Sequence, residues 1–109
     1  MADLDADFED ERIERIRKHI DRLDSILVNS LGERIALMPI FAKHKKINNL
    51  PLDDEKRFTQ QINRLKKVAQ ENSLDPEFVE EIFSLIINES RKCEKKYYLR
   101  EGIENDIKY

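Results

Sequence analysis

Between Glu9 and about Asn49, apolar side chains recur at Ile13, Ile16, Ile20, Leu23, Leu27, Leu31, Leu37 or Met38, and Phe41, in alternating steps of three and four residues. That spacing predicts one long helix with an apolar stripe. A continuous helix of this length reaches on the order of 60 Å at 1.5 Å per residue. A compact chain of 109 residues has a radius of gyration of only about 13 Å. The helix therefore overruns any compact monomer, and a second copy of the chain is expected to cover the excess apolar surface.

Three cations lie on or beside this stripe: Arg17, Arg34 and Lys45. At roughly 100° per residue, the step from Arg34 to Lys45 leaves a net rotation of only about 20°, so both point to one side. Arg34 falls between Leu31 and Met38, where the repeat wants an apolar residue. A charge in a core stripe is costly unless something pairs with it. From this helix alone two explanations stand. One is an anionic ligand held inside a helical bundle. The other is a buried ion pair, or a long side chain reaching out of the stripe.

Composition narrows the functional classes. Charged residues make up 39% of the chain, with 2 Gly and 3 Pro, which suits helices with wet outer faces. Net charge is −3 and the basic residues are interleaved with acidic ones, which argues against nucleic-acid binding. The longest uninterrupted apolar run, Ile35 to Ala42, contains Pro39 and falls well short of a membrane span, so no membrane association is expected. The start of the sequence is acidic and has no signal-peptide pattern. Cys93 is alone, so no intrachain disulfide or zinc cluster can form, and the expected location is cytoplasmic. His19 and His44 lack ligand-type spacing and there is no Gly-rich phosphate loop, so neither a metal nor a cofactor is expected.

In chain order, residues 1–8 read as a frayed, flexible tail whose acidic side chains suit the N-terminus of the first helix. Pro39 should kink that helix or end it; a kinked continuation fits better, because the stripe survives through Phe41. Asn48-Asn49-Leu50-Pro51 is a break, after which Asp53 or Asp54 caps a second helix carrying Phe58, Ile62, Leu65 and Ala69 on one face. Asp54 and Arg57 share a face there, and as a surface pair would contribute under about 1 kcal/mol. A second break, Asn72 to Pro76, has Asp75 as N-cap and Pro76 in the first helical position. The third helix runs to about Tyr98, with an inner face of Val79, Ile82, Phe83 and Ile86. That face continues to Ser90, Cys93 or Glu94, and Tyr97, either because polar groups are wanted there or because the helix end has emerged into water. Residues 100–109 read as a second flexible tail, with Gly102 as a helix stop. No strand pattern or internal repeat occurs. The expectation is one all-α domain over 1–109, with three helices per chain, one of them very long.

The polar residues that interrupt or flank apolar faces form a set: Arg34 and Lys45, Asp54 and Arg57, Ser90 and Glu94, with Arg17 near the start. Rich in cations and donors, it suits a small dianion, and it holds no Ser–His or Cys–His nucleophile pair. At this point the sequence resembles the small all-helical chorismate mutases of bacteria. The resemblance is carried by Ile16-Arg17-Lys18-His19-Ile20-Asp21-Arg22-Leu23-Asp24, Leu31-Gly32-Glu33-Arg34 and Ala42-Lys43-His44-Lys45, then by Asp54-Glu55-Lys56-Arg57, Leu74-Asp75-Pro76-Glu77-Phe78-Val79 and Ile82 through Ser90. It spans about residues 12–95; no single motif is specific, but the ordered set is. It implies three helices per chain intertwined into a homodimer, the first helix bridging both halves.

The resemblance also implies a site: Arg34, Lys45, Asp54, Arg57 and Ser90 from one chain, and Arg17 from its partner. Two positions depart from the commonest bacterial pattern. Phe58 stands where many members carry a Glu that bonds the ring 4-hydroxyl, and Glu94 stands where many carry a Gln facing the ether oxygen. A Glu there also resembles the fungal enzymes. An apolar residue at position 58 also occurs in relatives acting on isochorismate, with pyruvate loss, or on 4-amino-4-deoxychorismate. The implied chemistry is the rearrangement of chorismate to prephenate on the route to Phe and Tyr. Arginines would neutralise two carboxylates, Lys45 would donate to the ether oxygen, and Ser90 would orient a carboxylate. Asp54 would place backbone and Arg57 near the ring. Glu94 would help only when protonated, because a carboxylate repels a developing oxyanion. A non-catalytic helical dimer, with the same cations in structural ion pairs, is the third reading.

Overall fold

The computed structural model describes the backbone of residues 3–100 and the side chains of residues 9–100. Every regular element among them is helical: α1 (Asp3–Ala36), α2 (Met38–Ile47), α3 (Glu55–Glu71) and α4 (Pro76–Tyr98). α1 and α2 are the expected long helix, interrupted at one residue. Leu37 keeps right-handed helical dihedrals (φ −79°, ψ −15°), and Pro39 lies in the first turn of α2. Proline has no N–H to donate, so the ladder is interrupted there while the backbone stays helical. The Phe41 amide still donates to the Leu37 carbonyl at 3.0 Å.

The N-terminus differs from the sequence reading. α1 begins at Asp3, so most of the stretch read as a frayed tail is helix. Gly102 and the expected C-terminal tail lie, apart from Arg100, outside the described residues.

Contacts group the chain into two units, one ending at Glu33 and one beginning at Arg34. The first consists of α1 alone. Its stripe is exposed: Ile13 42%, Ile20 49%, Leu27 63% and Leu31 38%. The helical stretch Glu9–Ile47 also holds an 18-residue window of mean hydropathy 1.2, so by length and composition it is apolar enough to cross a membrane. The sequence reading differed because it counted only uninterrupted apolar residues, whereas this window admits Glu33 and Arg34.

In the second unit α4 packs against both α2 and α3. The core is Met38 and Ala42 from α2, Ile62 and Ala69 from α3, and Val79 and Ile87 from α4. Ala42 is fully buried, where a small side chain lets α2 approach its neighbour closely. Two helix starts stand where the sequence placed them, that of α3 at the second of its two candidates. The Asp54 carboxylate caps α3 by accepting from the Arg57 amide at 3.1 Å, and Asp75 caps α4 by accepting from the Glu77 amide at 3.1 Å. Of the expected inner face of α4, Val79 is buried and Ile82 is 36% exposed, while Ile87, which was not expected there, is buried.

Candidate functional site

The second unit contains a cleft of about 350 Å³. Arg34 enters it from the last turn of α1; Met38, Phe41 and Lys45 enter from α2. Leu50, Pro51, Leu52 and Asp54 come from the loop after α2. Arg57, Phe58 and Gln61 come from α3, and Ile87, Ser90, Arg91 and Glu94 from α4. Seven of the eight residues singled out in the sequence therefore meet in one place.

Lys45 stands in the last turn of α2, where a cation suits the helix dipole. Its ammonium lies 2.7 Å from Glu94 Oε1, donates to the Leu52 carbonyl at 2.8 Å and sits 4.4 Å from the centre of the Phe41 ring. The Leu52 contact needs the chain to turn sharply after α2. Asn49 supplies that turn with a left-handed φ of 54°, a conformation Asn tolerates, and the Leu50 amide closes it on the Lys45 carbonyl at 2.8 Å.

Glu94 corrects one sequence alternative: it has not emerged into water, and its side chain is only 5% exposed. Its contact with Lys45 is ionic rather than a hydrogen bond. The distance is short but the angle is poor, and Oε1 has no hydrogen-bond partner among the described residues. A buried acceptor in that state is costly unless a donor reaches it.

One helical turn earlier, the Arg34 guanidinium donates to the Ser90 hydroxyl, which donates in turn to the Ile86 carbonyl at 2.9 Å. Ser90 is thus held by its own helix and presents its oxygen to Arg34. Burial lowers the pKa of Arg34, and the negative charge of Glu94 opposes that shift. The stripe explanations left open for Arg34 resolve into a half-buried cation facing a hydroxyl and a carboxylate.

The Asp54–Arg57 contact is a helix cap, not the side-chain ion pair considered from sequence. Arg57 is exposed, and its guanidinium has no hydrogen bond or ion pair among the described residues. Arg91 was missed. Its guanidinium lies 4.9 Å from the Phe58 ring centre, 3.3 Å from Glu55 and 3.8 Å from Asp53. The signal was available: Arg91 follows Ile87 by one turn. Arg17 does not line the cleft; it pairs with Glu14 on its own helix at 2.9 Å and is 68% exposed.

Two cations, a hydroxyl and a buried carboxylate thus converge on a small concave space. Such a set can hold a compact anion and stabilise charge developing on an oxygen.

A family model described as chorismate mutase type II matches residues 16–95. A chorismate mutase of Methanocaldococcus jannaschii is 28% identical over 80% of this chain and 88% of its own length. A 4-amino-4-deoxychorismate mutase of Streptomyces venezuelae is 26% identical over 87% of this chain and 92% of its own length. A bifunctional chorismate mutase/prephenate dehydratase of Buchnera aphidicola is 31% identical over 84% of this chain, which spans 24% of that longer protein.

Proposed function

Because this chain belongs to the chorismate mutase type II family, we propose that it is the isomerase that rearranges chorismate to prephenate in aromatic amino-acid biosynthesis. The observation that carries this reading is the meeting of Lys45 and Glu94, 2.7 Å apart, beside the Arg34–Ser90 pair.

The reaction is intramolecular. One ether C–O bond breaks as one C–C bond forms, with no nucleophile and no net proton transfer. The protein must hold a compact conformer and stabilise negative charge on the ether oxygen. Arg34 and Arg57 match the two carboxylates, since a guanidinium fork binds a carboxylate bidentately. Ser90 fixes Arg34 and orients the same carboxylate. Lys45, held by its ion pair with Glu94, donates to the ether oxygen. Asp54 sets the first turn of α3, from which Arg57 projects, and Phe58 forms an apolar wall. The substrate is a small dianion and no cofactor takes part.

The same reading makes the working unit a homodimer in the cytoplasm. A second copy covers the α1 stripe and supplies its Arg17 to this cleft. Sedimentation equilibrium at micromolar concentration then gives about twice the chain mass. A well-folded monomer overturns the dimer, and co-flotation with lipid vesicles would assign the stripe to a membrane.

Phe58 favours a second reading, 4-amino-4-deoxychorismate as substrate, since a phenyl ring face attracts a ring ammonium more than a neutral ring hydroxyl. Relatives named for that activity occur in Streptomyces venezuelae and Streptomyces pristinaespiralis. The test is kcat/KM for both compounds with one preparation. A higher value for chorismate supports the first reading, a higher value for the amino compound replaces it with the second, and turnover of neither overturns both.

A further inference from the structure

We infer that Arg91 is an additional substrate-carboxylate ligand of the cleft, held in reserve by Asp53 and Glu55. The inference rests on the reading above, in which the cleft takes a dianion.

Arg91 lies on the face of α4 that also carries Ile87, Ser90 and Glu94, and it lines the cleft with them. Its side chain is only 26% exposed. Its two acidic neighbours stand 3.3 Å and 3.8 Å away, and neither contact has hydrogen-bond geometry. A guanidinium carries five N–H donors, and none of those of Arg91 makes a hydrogen bond among the described residues, so donors remain for an incoming acceptor. Phe58 supports its flat face at 4.9 Å, which leaves the edge donors free and limits the orientations the side chain must give up on binding.

The acidic neighbours are weak holders. Asp53 and Glu55 are 64% and 77% exposed, and ion pairs to exposed carboxylates are screened by water and salt. A substrate carboxylate entering the less solvated cleft displaces them readily. Two of the other cleft cations are more committed: Lys45 to Glu94 and the Leu52 carbonyl, Arg34 to Ser90.

The acids distinguish this role from a structural one. If Arg91 binds substrate, Asp53 and Glu55 compete with it. If Arg91 only ties the loop and α3 to α4, they are its partners in that tie. Arg91→Gln should raise both the KM and the calorimetric Kd for chorismate about ten-fold or more, with the loss falling in KM rather than kcat. Arg91→Lys should recover part of it. The Asp53→Asn/Glu55→Gln protein should bind chorismate more tightly than wild type, by about two-fold or more. A rise in KM and Kd in that double variant, parallel to Arg91→Gln, overturns the inference in favour of a strut. Unchanged Kd in Arg91→Gln also overturns it. Thermal melts of each full-length variant identify any loss due to unfolding, and the double variant then carries the test, because it is expected to gain affinity. Chorismate that binds without turnover, with these Kd shifts intact, would sink the mutase reading and leave the Arg91 site. Chorismate that does not bind at all would sink both.

Discussion

Replacing Lys45 with Met should destabilise the protein strongly, and replacing Glu94 as well should restore most of the loss. The two charges are 2.7 Å apart, with side chains 13% and 5% exposed. At an effective dielectric of about 20 their attraction is about 6 kcal/mol, most of it offset by desolvation. Lys45→Met removes the attraction but leaves the Glu94 charge buried with Oε1 unsatisfied, and it takes a donor from the Leu52 carbonyl. Breaking a buried pair from one side costs about 3–5 kcal/mol. Lys45→Met/Glu94→Leu removes both charges, and an apolar pair of similar volume should return to within about 1–2 kcal/mol of wild type. The assay is urea denaturation followed by the helical signal, at one fixed protein concentration because association would shift the midpoint. Turnover is measured on the same samples. The double variant should be folded and depleted in activity by about a hundred-fold or more. A single-variant cost under about 1 kcal/mol would mark an ordinary surface pair. A double variant no more stable than the single one would equally refute the buried pair.

Three further outcomes follow from the same structure. If the proposed dimer shares its sites between chains, mixing Arg17→Ala with Arg34→Ala protein should restore activity that neither has alone, because one site of the hybrid would be intact; no recovery after demonstrated subunit exchange refutes a two-chain site. Glu94→Gln should keep turnover at or above the wild-type level, since the amide removes a carboxylate that repels charge on the ether oxygen and adds a donor beside Lys45 and Arg34; a loss of about a hundred-fold or more in a folded protein would refute that placement. Asp75→Ala should cost about 1 kcal/mol by loss of the α4 N-cap, with kcat nearly unchanged, which a paired melt and turnover assay would check.

How far the chain could be read follows from what sets each feature. Helix starts are local: Asp54, one of two candidates, and Asp75 cap α3 and α4, because a short carboxylate two or three residues ahead of an amide suffices. The grouping of Arg34, Lys45, Ser90 and Glu94 was also visible, as polar interruptions of apolar stripes at helical spacing. What escaped depends on packing between elements. The burial of Glu94 is set by α2 lying against α4, so spacing along α4 could not separate a buried acid from one at a wet helix end. Ile87 rather than Ile82 faces inward for the same reason. Arg91 was overlooked because a charged residue beside Ser90 reads as an outer face, until Phe58 of α3 is seen beneath it. Arg17 pairs with Glu14 on its own helix, a contact that their spacing of three residues allows.

The central claim is that this cleft rearranges chorismate. It is tested most directly by incubating chorismate with the purified full-length chain and following substrate and product by proton NMR. The account predicts prephenate appearing as chorismate disappears, at a rate proportional to enzyme and abolished by Arg34→Ala. Chorismate recovered unchanged from a folded preparation, or consumed with release of pyruvate instead of prephenate, would contradict it.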